Sequence, residues 1–364
     1  MESVNSDARL GAGNDLQASS DAGRRGRPAR AQANDELLRD AAVALVCRSG
    51  WDHLTLSGVA RHADLTLGAI YSRFENKSEL GLDLWSTRVL PAFRELLRRV
   101  DRAISNDSAD DFAALLRDAL GVGPMNRCFN ELTQAATFDP LMREVIVDDL
   151  QEVLTPWLAV DPATSARNAY ILGLLIGASL LQPVAELAPG ALSQTASQLW
   201  VALMQLSAPA PMDSARWLPL VKWTPTSDDP TIELIHGAFI ATVAKSGYEQ
   251  ATINRVCRAA GISSGSLFSR FESKSEVFAD AYRTLMLAAI GQDAQAMAKV
   301  AAEANPHVAY AEYVVARLRP EHQHINIIHL EFLRLATWDA VFKGHWNEMQ
   351  LLYREYYDSH YEAK

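Results

Sequence analysis

A stretch of about thirty residues occurs twice in this chain, so any admissible fold must house it in both places. The first copy runs Gly50 to Leu80 (GWDHLTLSGVARHADLTLGAIYSRFENKSEL) and the second Gly247 to Val277 (GYEQATINRVCRAAGISSGSLFSRFESKSEV). They align without a gap at an offset of 197, with 13 of 31 positions identical. Unrelated sequences of ordinary composition share about two. So long a period excludes a solenoid. At 364 residues, 49% of them apolar, the chain has length and core enough for two domains.

The periodicity is helical throughout, and no stretch alternates as a strand does. Leu37, Leu38, Ala41, Ala42, Leu45 and Val46 predict a first helix from Asn34, closed by Gly50. Thr55 is an N-cap for a second helix, Ala63-Asp64-Leu65 a tight turn, and Thr66 the cap of a short third helix reaching Arg73. Helix, turn, helix at this spacing is helix-turn-helix geometry. Asn76-Lys77-Ser78-Glu79 is a capping box opening a long helix to about Ile104, bent at Pro91. Further helices are expected near 110–120, 125–138, 140–158, 163–182 and 190–206.

Before the first copy, residues 1–23 lack periodicity and are expected to be disordered. Arg24 to Arg30 (RRGRPAR) reads as an extended basic arm suited to a minor groove, with Arg25, Arg27 and Arg30 as contacts. Ser207 to Pro230 holds five prolines and reads as a linker between domains, its Trp217, Leu220, Val221 and Trp223 packing on a surface. The duplication extends further, since Glu131–Asp139 (ELTQAATFD) matches Glu331–Asp339 (EFLRLATWD) at an offset of 200. Projected so, the second repeat is a truncated copy lacking the helices of 163–206. The resulting division is a tail with arm (1–30), a first head (31–76), a helical domain (77–206), the linker (207–230), a second head (231–273) and a truncated helical domain (274–364).

Composition removes several classes of function. A net charge of −10 argues against a nucleic-acid binder that uses its whole surface, so any DNA contact must be local. Three scattered cysteines without CxxC spacing fit a reducing, cytoplasmic setting. The apolar run Ile171 to Leu181 is too short to span a bilayer. His322, His324 and His329 lack a completing carboxylate or cysteine pattern, so no metal or other cofactor is expected. No nucleophile–base pair or phosphate loop points to an enzyme.

Thr55, Val59-Ala60, Ala63-Asp64, Gly68, Tyr71, Phe74 and Lys77 closely resemble the signature of the TetR/AcrR family of bacterial transcriptional regulators. The spacing holds over about 45 residues in each copy. The resemblance implies an all-α protein of two tandem units, each a three-helix head followed by a helical bundle. It also implies an operator in double-stranded DNA as partner, and a recognition helix at Thr66 to Arg73 in the major groove. Thr55, Thr66, Tyr71 and Lys77 would then face phosphates, with Leu67, Gly68, Ala69 and Ser72 towards the groove. Phe74 is read as core. Leu67 and Ala69 suit thymine methyls. The chain departs from the pattern at Asp64, which replaces the turn glycine, and at Gly58, which lies inside the second helix.

The second copy offers Thr252, Ser263, Ser264, Ser266 and Lys274 as possible contacts. However, Phe268 replaces the tyrosine, and Ser227-Asp228-Asp229-Pro230 stands where the arm would be. DNA contact is therefore assigned to the first copy, and weak or no autonomous binding to the second. Met125, Cys128, Gln134, Phe138, Trp157 and Tyr170 are candidate linings of a pocket for a small apolar effector. Residues 163–206 resemble the pair of helices that joins two chains of the family into a homodimer. The leading reading is a repressor released by its effector. The other is an interaction protein that keeps the heads without touching DNA.

Overall fold

The computed structural model describes residues 12–121, 123–185, 193–206, 223–303 and 319–361, and every regular element among them is a helix. Residues 1–11 and the linker residues 207–222, with Trp217, Leu220 and Val221, lie outside the described residues. The chain forms two compact units, Met1–Leu84 and Trp85–Lys364. Of the linker expected at 207–230, residues 223–230 are described, and Trp223 packs on the core of the second unit.

In the first unit, α1 (Ala12–Ser49) begins well before Asn34. The backbone at Arg25, Arg27 and Arg30 is therefore helical, where an extended arm was expected; their side chains lie outside the described residues. The physical reason is cooperativity. Leu38, Ala42 and Val46 are fully buried and fix the helix, after which each added residue costs little, especially Ala and Arg. Gly50 ends α1 at φ 78°. Next come α2 (Leu56–His62), α3 (Leu67–Tyr71) and α4 (Lys77–Leu84).

The long helix expected from Lys77 to Ile104 is interrupted. A π-helical turn, Trp85–Val89, precedes α5 (Leu90–Ser105), which has Pro91 in its first turn. Proline has no N–H for the carbonyl four residues back and its ring crowds that carbonyl, so the chain widens just before it.

The second unit continues with α6 (Ala109–Leu120), α7 (Pro124–Ala135), α8 (Pro140–Leu158), α9 (Pro162–Ala185) and α10 (Ser193–Met204). Phe112, Leu116, Ile171 and Trp200 centre one core. Three indole N–H groups each find a carboxylate: Trp85 to Asp149 (2.8 Å), Trp157 to Asp101 (2.8 Å) and Trp200 to Asp107 (2.9 Å). By length and composition alone α9 could cross a bilayer. Here it buries Asn168, Ile171, Leu175 and Ser179 within the unit.

The second head follows as α11 (Pro230–Gln250), α12 (Ile253–Ala260), α13 (Ser264–Phe268) and α14 (Lys274–Glu303), then α15 (Gln323–Trp338) and α16 (Ala340–Tyr361). Helices α15 and α16 pack on α9, and α15 also meets α7. The two copies of the ELTQAATFD-type segment thereby touch each other. Trp338 Nε1 donates to Glu131 Oε1 at 3.0 Å, and Gln134 Nε2 donates to Glu331 Oε2 at 3.3 Å. Both carboxylates are buried. Glu331 also accepts the Tyr248 backbone N–H at 2.7 Å, which ties the base of the second head to α15.

Candidate nucleic-acid interface

Local capping shapes the first head. Thr55 Oγ1 accepts Gly58 N–H at 3.0 Å, and Thr66 Oγ1 accepts Ala69 N–H at 3.2 Å. Gly58 has a steric reason, because a Cβ there would lie 2.9 Å from the capping Thr55 hydroxyl. Asp64 sits at φ 54° and supplies the left-handed residue that the turn requires. In the capping box, Asn76 Oδ1 accepts Glu79 N–H at 3.0 Å, while Glu79 reaches back to Glu75 N–H at 2.8 Å, one residue earlier than in the standard box.

These caps leave α3 with an apolar face in solvent. Leu67 and Tyr71 are each 54% exposed, Gly68 and Ser72 are exposed, and Ala69 is half-buried. Ile70 and Phe74 hold the other face in the core. The Tyr71 ring thus stands out from the head. Ser72 Oγ donates to Ala69 O at 2.9 Å. At the C-terminal end of α3, Arg73 forms an ion pair with Asp35 and donates to Ala31 O, which fastens the helix to α1.

Lys77 has local partners. Its Nζ donates to Asp52 O at 3.1 Å and lies 4.7 Å over the Trp51 ring. The positive end of a helix disfavours a cation, and here a carbonyl and a π face offset that cost. The clasp between α1 and α4 was missed from the sequence. Arg39 Nε and Nη2 grip both oxygens of Asp83 at 2.7 and 2.8 Å, and Nη1 donates to Glu36 at 2.8 Å. These bonds hold the guanidinium above its ordinary pKa. Asp83 and Asp280 are identical at the same offset of 197, just past the aligned stretch, and that was the available signal.

The second head repeats the frame. Thr252 Oγ1 accepts Arg255 N–H at 3.4 Å, Ser263 Oγ accepts Ser266 N–H at 3.1 Å, and Gly261 takes the turn at φ 70°. Ser264 is exposed. Lys274 Nζ lies 3.9 Å over the Tyr248 ring and donates to Glu249 O at 3.5 Å. Phe268 is 52% exposed, matching Tyr71 in place but without a hydroxyl. Asp229 stands in the acidic stretch that takes the place of a basic arm. It caps α11 through Thr231 N–H and pairs with Arg270 Nε at 2.6 Å. Arg270 and that backbone bond hold its carboxyl below the usual range, so much of its charge is answered within the head.

The second unit contains a cavity of about 290 Å³. Its apolar wall includes Phe93, Leu96, Leu115, Met125 and Phe129, and Val89 at the end of the π-turn also lines it. The polar lining groups have partners of their own. Arg99 pairs with Asp118 at 2.6 Å, Glu95 with Arg98 and Arg102, and Ser179 donates to Ile176 O. Of the six residues expected to line a pocket, Met125 lines this cavity, while Gln134 and Trp157 line smaller or more open hollows elsewhere in the unit. Cys128 is fully buried in the core, Gln134 reaches Glu331, and Phe138 lies against Gly247. Trp157 bonds Asp101, and Tyr170 is half exposed. On α7 the cavity face is Met125, Asn126 and Phe129, and Cys128 lies outside it. Among the described residues no three His, Cys, Asp or Glu side chains gather as a metal site.

Comparison with known families gives one match, made twice. The model described as bacterial regulatory proteins, tetR family, matches residues 38–84 and again 240–281. No curated protein matches the chain.

Proposed function

We propose that this chain, a DNA-binding transcriptional regulator of the tetR family with two tandem helix-turn-helix units, is a repressor that reads its operator through the first unit. The carrying observation is α3, whose Leu67 and Tyr71 stand in solvent on a helix anchored at its end by Arg73 and Asp35. On this reading Leu67, Gly68, Ala69 and Ser72 face base edges, while Thr55, Thr66, Tyr71 and Lys77 hold phosphates. Arg25, Arg27 and Arg30 add a basic helical lead-in. The second head, with Thr252, Ser263, Ser264, Ser266 and Lys274, contributes little binding of its own.

The proposed effector is small, uncharged and mostly apolar. The cavity supports this class, because its polar lining groups already hold partners within the protein and offer few bonds to a charged ligand. A ligand touching Val89 would act on the π-turn from which α4 departs, and so on the first head by chain continuity. Homodimerisation through 163–206 is proposed on the faces that leave Tyr170 and Val201 exposed, with a cytoplasmic setting; mass measurement in solution tests the dimer.

The decisive experiment is a gel-shift titration on operator fragments selected from genomic DNA. Deletion of Arg24–Arg30 is expected to lower affinity by about a hundredfold at physiological salt. Lys77→Ala should weaken binding on all sequences and reduce the salt slope by about one. Retention of full affinity by the deletion would remove the arm from the interface, and failure of the intact chain to retain any genomic fragment would favour the interaction-protein reading.

A further inference from the structure

Most polar groups that line the cavity of the second unit are already committed to partners. Arg99 holds Asp118 at 2.6 Å, and Glu95 is gripped by Arg98 and Arg102. Ser179 Oγ donates to Ile176 O at 2.9 Å and accepts from Asn130 Nδ2 at 3.3 Å. Asn126 differs. It lines the cavity from α7 and is half-buried. Its one bond among the described residues runs from Nδ2 to Asp118 O at 3.4 Å, longer than a usual hydrogen bond. A backbone carbonyl can only accept, so the carboxamide nitrogen must be the atom that faces it. The side-chain oxygen, Oδ1, receives no donor from the described residues.

We propose, resting on the reading of this cavity as the effector site, that Asn126 sets the class of ligand it takes. Oδ1 accepts from a hydroxyl or an amide N–H carried by an otherwise apolar, uncharged molecule. Phe93, Leu96, Leu115 and Ile176 supply the apolar wall. A ligand seated against that wall displaces water from the Asn126 oxygen, and one without a donor leaves the acceptor unpaired. A site built around such a group rejects the analogue lacking the matching hydrogen far more strongly than one lacking a methylene.

Charged ligands fit less well. A carboxylate would face the lone pairs of Oδ1, and the lining guanidinium of Arg99 is already held by Asp118. An ammonium would find both lining carboxylates, Glu95 and Asp118, answered by arginines. A neutral acceptor alone does not offset the hydration that a buried cation loses.

The test is a ligand-observed NMR titration of the full chain with three probes of closely similar shape: p-ethylphenol, p-ethyltoluene and p-ethylanisole. The first carries a donor, the second has methyl in its place, and the third keeps the oxygen without the hydrogen. What is read is the Kd of the toluene divided by that of the phenol. Comparing this ratio between wild type and variant cancels the unequal hydration of the probes. Asn126→Leu should lower it about three- to tenfold, the share of a single neutral hydrogen bond. Asn126→Ala should lower it likewise without added bulk. The hydrocarbon should bind the leucine variant at least as tightly as wild type. p-Ethylanisole should show no such dependence on Asn126, and Ser179→Ala should leave the ratio unchanged. A ratio that survives both Asn126 variants, or falls as far with Ser179→Ala, overturns the proposal while leaving a cavity that binds hydrocarbon. Binding of none of the three overturns the effector reading of the cavity as well. Operator DNA takes no part in the measurement.

Discussion

The two heads share their local frame and differ in what the frame is attached to. Each has a threonine cap on its second helix, a left-handed turn residue, a hydroxyl cap on its third helix and a lysine seated over an aromatic ring. Each closes its third helix with an arginine tied to an acid of its first, Asp35 within α1 and Asp229 at the cap of α11. Yet the first head is part of a compact unit of its own, while the second is built into the larger unit. Its Tyr248 N–H ends on Glu331, and Phe138 of the first repeat presses on Gly247. Interactions spanning three or four residues are kept by duplication, because each copy carries both partners. Long-range contacts are the ones free to diverge.

The largest test of that contrast is Glu331→Ala. Glu331 is 2% exposed and accepts from Tyr248 N–H, Gln134 and Arg334. Removing it leaves Arg334 and a buried N–H without that acceptor, a loss of about 3–5 kcal/mol. Denaturant melts should show the second unit weakened and α1–α4 unchanged by hydrogen exchange. Equal weakening of both heads would break the comparison.

Gly247→Ala probes the same junction at its backbone. Gly247 sits at φ 78°, and an added Cβ would lie 3.2 Å from the Phe138 ring. Strain and crowding together should cost about 1–3 kcal/mol. Phe138→Ala in the same chain should relieve the crowding part but not the strain. If the double variant loses as much as the two singles added together, the ring is not pressing on the glycine.

Much of this frame can be read from the chain before folding. Thr55, Thr66 and Asn76 cap helices because the backbone N–H groups they accept lie three residues on, and Asp64 tolerates the left-handed turn by its own chemistry. The bounds of α6 to α9 follow the apolar period closely. The lining of the cavity does not, because periodicity gives a helix face but not which neighbour covers it; Met125 is placed and Cys128 is not. The clasp at Arg39 and Asp83 joins residues 44 apart, and the Glu131–Trp338 bond spans 207. Neither leaves a local trace. The helical arm was missed because its composition suggests a free tail, whereas its connection to a buried helix extends that helix.

A smaller effect separates the exposed faces of the two third helices. Tyr71 and Phe268 are exposed to nearly the same degree, so the hydroxyl is the difference between them. Tyr71→Phe should weaken operator binding by about 0.5–1.5 kcal/mol, or roughly three- to tenfold, if that hydroxyl bonds a phosphate. Phe268→Tyr should change binding little if the second head does not reach DNA. A gain from Phe268→Tyr equal to the loss from Tyr71→Phe would put both heads on the duplex.

The smallest effect concerns acid. Asp229 holds α11 to Arg270, and its carboxyl is kept below the ordinary range by that guanidinium first and Thr231 N–H second. A depressed folded pKa gives stability that is present above the unfolded value, about 3.9, and is lost as pH falls through the folded one. The second head should therefore loosen on the acid side of about pH 4. Asp229→Asn should remove that acid limb and slightly destabilise α11 at neutral pH, since asparagine still caps Thr231 N–H but no longer pairs with Arg270. A melting profile of the variant with the same acid limb would assign the loss to other carboxylates. An unchanged neutral-pH melt would show that Arg270 holds its place through Ser266 and Thr231 alone.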